Sequence, residues 1–285
     1  MNHATDVLRV SCMQAEGRPG DVEHNLDLVD RAAVQARGDG ADLLITPEMF
    51  LTGYDCGDLA PLLEPDRDLA GRVAAIAARH RIAILAGLPI ALPEGGISNA
   101  AVFVDDTGQT LGVHHKSHLY GAIDKDRFRP GAHPATIVDY RGVRIGVLIC
   151  FELEFPEPAR LAALSGAQLI AVPTSNMEPY AAINEHLVWT RAWENQTYVA
   201  YVNRCGTERN THYVGRTVVH GPGGELIARA DTSPTLLTAD ICIPAVAAAR
   251  HDFSYLAERR PNLYAGLAHL EPQLPAPNRK ALPCT

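Results

Sequence analysis

Residues 143–172, VRIGVLICFELEFPEPARLAALSGAQLIAV, carry the pattern that decides the fold. Residues 143–150 are a strand-length, almost unbroken apolar run; 158–164 have helical composition behind two prolines; 167–172 are apolar again. A strand, a helix and another strand in that order read as parallel neighbours covered by the helix between them. The alternation continues with a helix over 184–197 and a strand over 198–204. It also opens the chain. Residues 8–14 read as a strand, and Asp21 caps a helix whose Leu26, Val29, Ala33 and Val34 recur at helical spacing until Gly38-Asp39-Gly40. Residues 41–46 (ADLLIT) make a short buried strand ended by Pro47, 66–80 a helix, and 82–90 a strand.

Hairpins separate and follow these two runs. Segments 97–104 and 110–115 flank Asp105-Asp106-Thr107-Gly108, and 135–140 pairs with 143–150 across Arg141-Gly142. A third hairpin surrounds Gly221-Pro222-Gly223-Gly224, and 235–243 is the last strand. The polar stretch with Gly121, Pro130, Gly131 and Pro134 reads as a loop long enough to be functional. No Ser/Gly linker or change of composition divides the chain. The expectation is a single α/β domain over residues 1–265, a four-layer αββα sandwich, with a proline-rich extended tail over 266–285.

Composition narrows the function. A chain of 285 residues that is 47% apolar builds a sizeable core. A net charge of −8 without a Lys/Arg cluster argues against nucleic acid as a partner. No apolar run approaches the roughly 18 residues of a membrane span. The N-terminus lacks a basic segment followed by an apolar one, so no export is expected. The six cysteines form no CxxC pair and read as free thiols in a reducing compartment, which places the protein in the cytoplasm.

Several catalytic signatures are missing: there is no GxSxG elbow, no GxxxxGK[ST] loop and no HExxH helix. Both glycine clusters sit in turn contexts. His114 and His115 point to opposite faces of a strand, so no metal site is expected, and neither is a cofactor. Three other residues each end a strand-like run: Glu48 after LLITP, Lys116 after LGVHH, and Cys150 after GVLI. Each alone has an ordinary structural reading as a loop cap, a solvated hairpin residue or a buried thiol. Together they deliver an acid, an amine and a thiol to strand ends, where α/β proteins gather their ligands. A thiol with a pKa of about 8.5 needs a base or nearby positive charge to react at neutral pH, and this trio supplies both. The Phe151 N–H, at the start of the segment leading into the next helix, is placed to face an oxyanion.

The segments PEMFLTGY (47–54), HHKSHLYG (114–121) and GVLICFELEFPEPAR (146–160) resemble the three signature segments of the nitrilase superfamily of carbon–nitrogen hydrolases. RHDFSYLAERRPNLY (250–264) is similar to that family's C-terminal arm. The resemblance implies the αββα fold and a Glu48–Lys116–Cys150 triad. Where the family usually carries a second glutamate, four residues before Phe128, this chain has Asp124, one methylene shorter. Phe-Glu follows the cysteine where nitrilases show Trp-Glu. VPTSNMEPY (172–180) with ENQ (194–196) resembles bacterial aliphatic amidases of the 5-aminopentanamidase and (R)-stereoselective amidase type.

That resemblance implies hydrolysis of a small aliphatic carboxamide through a cysteine thioester. Glu48 acts as base, and Lys116 and the Phe151 N–H hold the oxyanion. A nitrilase or an N-carbamoyl amino acid hydrolase with the same triad is the enzymatic alternative. An idle interaction scaffold is the alternative of another class. Tyr54, Asn176 and Met177 are expected to line the pocket, with Glu152 and Glu178 at its mouth to attract a distal ammonium. Trp189 and Trp193, spaced i,i+4, are expected in the core. Enzymes resembling this one associate through the neighbouring helices and the C-terminal arm, so a homodimer is expected.

Overall fold

The computed structural model describes residues 6–64 and 67–270. One six-stranded sheet collects β1 (Val7–Gln14), β2 (Leu43–Ile45), β3 (Ala83–Ala91), β4 (Ile97–Val104), β5 (Thr110–His115) and β14 (Thr235–Cys242), in the order β14-β1-β2-β3-β4-β5. A second collects β6 (Thr136–Tyr140), β7 (Val143–Val147), β8 (Leu169–Thr174), β9 (Tyr198–Asn203), β12 (Val218–His220) and β13 (Leu226–Arg229), in the order β13-β12-β9-β8-β7-β6. β1, β2 and β3 run parallel, as do β7, β8 and β9, while the hairpins pair antiparallel at the edges. The strand–helix–strand reading of residues 143–172 therefore holds.

Period-2 alternation assigns the layers. Leu43 and Ile45 of β2 face the second sheet and Leu44 faces the helices; Leu169 and Ala171 of β8 face the first sheet while Ile170 and Val172 face outward. Leu8, Val10, Leu85 and Phe103 meet Tyr140, Ile145, Val147 and Val202 between the sheets, all buried. Each such side chain contributes roughly 1.5–3 kcal/mol of burial. Helices α1 (Val22–Gly38) and α2 (Leu69–His80) cover the first sheet. After the short α3 (Gly121–Lys125), helices α4 (Pro156–Leu164) and α5 (Val188–Asn195) cover the second. The result is an αββα sandwich.

Asp21 caps α1 as expected, accepting the His24 N–H at 3.0 Å. Several local readings are corrected. A small hairpin, β10 (Cys205–Glu208) with β11 (Thr211–Val214), stands apart from both sheets. A π-helical turn, Ile183–Leu187, precedes α5. Trp189 and Trp193 are not in the core: they are 42% and 40% exposed and stack on each other with centroids 5.5 Å apart. The face of α5 that packs inward carries Val188, Arg191, Ala192 and Asn195, which puts the tryptophan stripe outside. A helix α6 (Ile243–Asp252) follows β14, and α7 (Pro261–Tyr264) leads into a 3-10 turn, Ala265–His269, at the point where an extended tail was expected. The rest of that tail, 271–285, lies outside the described residues.

Candidate active site

Each of the three strand-end residues is delivered by a distinct local device. Pro47 ends the strand, and the backbone of Glu48 is then fixed to the opposite sheet. Its N–H donates to Thr174 O at 3.3 Å, and Ser175 Oγ donates to Glu48 O at 3.0 Å. β3 lets this segment pass because position 87 is glycine: a Cβ there would lie 2.3 Å from Pro47 O and 2.7 Å from Glu48 Cα. Lys116 follows β5 directly, with its N–H on Asn99 O at 2.9 Å. Cys150 follows a strand that leaves its sheet at Val147, three residues earlier than expected. It starts a 3-10 helix, Cys150–Glu154, with φ of +48°, a left-handed conformation that costs a non-glycine residue about 1–3 kcal/mol and clusters at functional sites.

Glu152 secures that turn. Its Oε2 accepts the Ile149 N–H at 2.6 Å and lies 2.7 Å from His114 Nε2; its Oε1 accepts the Ser117 N–H and hydroxyl, both at 2.6 Å. The side chain turns back to cap its own helix and is completely buried, so Glu152 does not stand at a pocket mouth. Instead it fastens the cysteine turn of one sheet to the lysine strand of the other. These partners hold its carboxyl below the usual range despite burial. Glu178 is exposed on the loop before Pro179 and is not part of the cavity wall.

The Lys116 ammonium donates to Glu48 Oε1 at 2.6 Å and to Asp124 Oδ2 at 2.7 Å, with all three side chains fully buried. Asp124 reaches the lysine because it sits on α3, within a stretch that reads as loop in the sequence. Tyr54 donates its hydroxyl to Asp124 Oδ1 at 2.8 Å, and the Tyr120 N–H donates to Oδ2 at 2.9 Å. Asn99, unmarked by any motif, donates to Glu48 Oε1 at 2.7 Å. Glu48 Oε2 has no hydrogen-bond partner among the described residues.

Two carboxylates and one ammonium share a site without water contact, and the ionisation follows. Burial pushes the Glu48 carboxyl up, Lys116 opposes this, and Asp124 reinforces it. Burial favours a neutral lysine, but Glu48, Asp124 and Cys150 outweigh it and hold Lys116 well above its ordinary value. Burial first, then Glu48, drives the Cys150 thiol well above its ordinary value. The resting thiol is therefore protonated and needs a base to become nucleophilic.

A cavity of about 260 Å³ opens over the cysteine. Cys150, Phe151, Tyr54, Asn176 and Met177 line it. Tyr120, Glu154, Ser175 and Tyr180 line it too and were not foreseen. The Asn176 amide is committed inward, donating to Tyr180 O at 2.9 Å and Asn184 Oδ1 at 2.7 Å, so it shapes the wall. The Phe151 amide lies in the first turn of the 3-10 helix, among the N–H groups that a helix start leaves without an intrahelical partner. Among the described residues, no group of three or more His, Cys, Asp or Glu side chains converges as metal ligands do.

Residues 9–251 match the family model described as carbon-nitrogen hydrolase. The chain is 40% identical over 264 residues to a "Hydrolase in pqqF 5'region" of Pseudomonas protegens, covering 92% of each chain. It is 32% identical over 256 residues to an (R)-stereoselective amidase of Pseudomonas sp., covering 89% of this chain and 92% of the relative. Among solved structures, a mutant of the Nesterenkonia AN1 amidase from the nitrilase superfamily superposes with a TM-score of 0.83 at 34% identity, covering 93% of this chain and 98% of that one. Another mutant of that amidase carries the acetamide moiety of fluoroacetamide covalently added at its active-site cysteine, with a TM-score of 0.81, 35% identity, and coverage of 90% and 95%.

Proposed function

The chain belongs to the carbon–nitrogen hydrolase family, acting on bonds other than peptide bonds, and on that premise we propose that it is an amidase converting a small aliphatic carboxamide to the acid and ammonia. One observation carries the reading: a cavity-lining cysteine is subject to the fields of a buried glutamate with one unpartnered oxygen and of a lysine held between two carboxylates. An acyl transfer needs these groups, namely a nucleophile, a base and a fixed positive charge.

Glu48, through its unpartnered Oε2, takes the Cys150 proton as Sγ attacks the amide carbonyl. The negative charge that develops on the carbonyl oxygen is met by the third N–H of Lys116 and by the Phe151 N–H. Glu48 then protonates the nitrogen, the C–N bond breaks, ammonia leaves, and a thioester to Cys150 remains. A water that gives its proton to Glu48 attacks the thioester. The second tetrahedral species expels the thiolate, which recovers the proton, and the acid departs. Asp124 and Tyr54 keep Lys116 in place. Tyr54, Met177 and Asn176 shape the acyl pocket. The whole of 1–265 acts as one domain in this reading, without cofactor or metal.

The protein works in this reading as a cytoplasmic homodimer. Supporting the dimer, Trp189 and Trp193 form an exposed aromatic stripe continued by Tyr255 of the C-terminal arm. Supporting a reducing compartment, the five cysteines of the described residues are all free thiols. No helix among the described residues is long and apolar enough to cross a membrane.

The test is ammonia release from a panel of short amides, the matched nitriles and N-carbamoyl amino acids, with Cys150→Ala as control. Amides should react fastest, and Cys150→Ala should fold but not turn over. Faster nitrile or carbamoyl hydrolysis moves the protein to that class; no turnover of any class leaves the scaffold reading.

A further inference from the structure

Asn99 touches both the glutamate and the lysine, and the mechanism gives it no task. It stands in β4, the strand between β3 and β5. Its carbonyl accepts the Lys116 N–H at 2.9 Å, and its side-chain amide donates to Glu48 Oε1 at 2.7 Å. Gly87 and Pro89 of β3 pair with Ala101 and Asn99 of β4. Side-chain alternation therefore puts Asn99 on the face that Gly87 leaves open to the Glu48 backbone. The glutamate segment crosses β3 there, and its carboxylate meets the amide of the next strand.

Asn99 is completely buried, yet only half of its amide is used. Oδ1 has no hydrogen-bond partner among the described residues. A buried amide kept for cohesion alone would satisfy both ends, because an unpartnered buried acceptor is costly. What is retained is the donor. Its target, Oε1, also accepts Lys116 Nζ at 2.6 Å, so one oxygen of the carboxylate holds two donors while Oε2 holds none. With the ammonium as sole donor, the carboxylate could turn about its last torsion and offer either oxygen. With two charge-assisted bonds from separate segments, it cannot turn without breaking one.

We propose that Asn99 is a positioning residue of the reaction: with Lys116 it saturates Oε1 of Glu48, which leaves Oε2 as the oxygen that takes and returns protons. The proposal rests on Glu48 being the base that serves Cys150. The same bond favours the ionised carboxylate, opposing burial and Asp124, which push the Glu48 carboxyl up. Lys116 also opposes them, while Cys150, Tyr54 and Tyr201 are the other titratable groups whose fields couple to Glu48. Among the described residues, only Lys116 and Asn99 donate to the Glu48 carboxylate.

The experiment compares the wild type with Asn99→Ala and with Asn99→Asp, which is nearly isosteric but cannot donate while ionised. Two pH profiles are taken for each: kcat/KM on the best amide, and the rate of iodoacetamide alkylation at Cys150. Asn99→Ala should lower kcat about tenfold at pH 7 while KM stays within about twofold. The acid limb of both profiles should move up by about one pH unit, the size of a lost charge-assisted bond. Asn99→Asp sets a further carboxyl against Oε1 and should be slower than Asn99→Ala. In Glu48→Gln, adding Asn99→Ala should leave the alkylation rate unchanged, because no base remains to be oriented. An acid limb unmoved in Asn99→Ala overturns the proposal. So does Asn99→Asp outperforming Asn99→Ala, the order a space-filling side chain would give, or a further loss in Glu48→Gln. If Asn99→Asp does not fold, the limb in Asn99→Ala decides. Alkylation needs no substrate: if amides are not hydrolysed but its limb still moves, the amidase reading falls and the role of Asn99 stands.

Discussion

The Tyr54 hydroxyl donates to Asp124 Oδ1 across 2.8 Å, while the other oxygen of the same carboxylate accepts Lys116. Asp124 is thus held on both sides and reaches the ammonium despite being one methylene shorter than the glutamate usual in the family. Asp124 stands on the short helix α3.

Asp124→Asn keeps the shape and removes one of the two charges on Lys116. Turnover should fall by about 10²-fold, in the range typical of a lost charged partner in proton transfer. Iodoacetamide labelling of Cys150 should persist, since Glu48 is untouched. Unchanged kcat would make this carboxylate a loop residue only.

The pH profile should report the base. Glu48 must be ionised to accept the thiol proton, and burial together with Asp124 raises its pKa. Activity is therefore lost as pH falls through that raised value, and the acid limb of kcat/KM should lie above the ordinary carboxylate pKa of about 4.3. Lys116, held well above its ordinary value, keeps its charge throughout and adds no alkaline limb near neutrality. An acid limb at or below pH 4 would contradict the assignment of the base.

Lys116→Met leaves two buried carboxylates without their cation. Removing one partner from such a cluster costs about 3–5 kcal/mol, which urea unfolding at pH 7 would register. In the wild type the raised lysine pKa contributes stability fully present below about 10.4 and lost only as pH rises through the folded value, so the penalty should be flat around neutrality. It should shrink on acidification, because protonated Glu48 no longer needs the ammonium.

If the tryptophan stripe is an interface, Trp193→Glu places a charge in it. Sedimentation of the wild type at micromolar concentration should give a dimer, and the variant should shift toward monomer with turnover of small amides to be compared at equal protomer concentration. A monomeric wild type would dismiss the proposal.

What the sequence exposes and conceals follows from geometry. Glu48, Lys116 and Cys150 stand out because each ends a strand-like run, and strand ends are where α/β folds gather their ligands, although only Glu48 and Lys116 come from one sheet. Asn99 lies inside β4, and its contact with Glu48 exists only through sheet pairing and side-chain placement that no local pattern encodes. Glu152 and Glu154 are chemically identical and two positions apart; in a 3-10 turn they point in different directions, one into the cap and one to the cavity. Trp189 and Trp193 share a face by spacing, yet so do Val188 and Ala192, and only docking against the second sheet decides which pair is inside. The strands CGTE and THYV are too short and polar to announce a hairpin.

Glu48 and Lys116 leave strands of one sheet and Cys150 leaves a strand of the other, with Glu152 fastened across the gap to His114 and Ser117. Neither half of the chain owns a complete catalytic set. During refolding, secondary structure can return while the enzyme is still inert, because hydrolysis begins only when the two layers close upon each other. Recovered activity therefore times that last assembly step. Cut between the layers, the chain would behave as two silent fragments whose chemistry reappears only on reassociation.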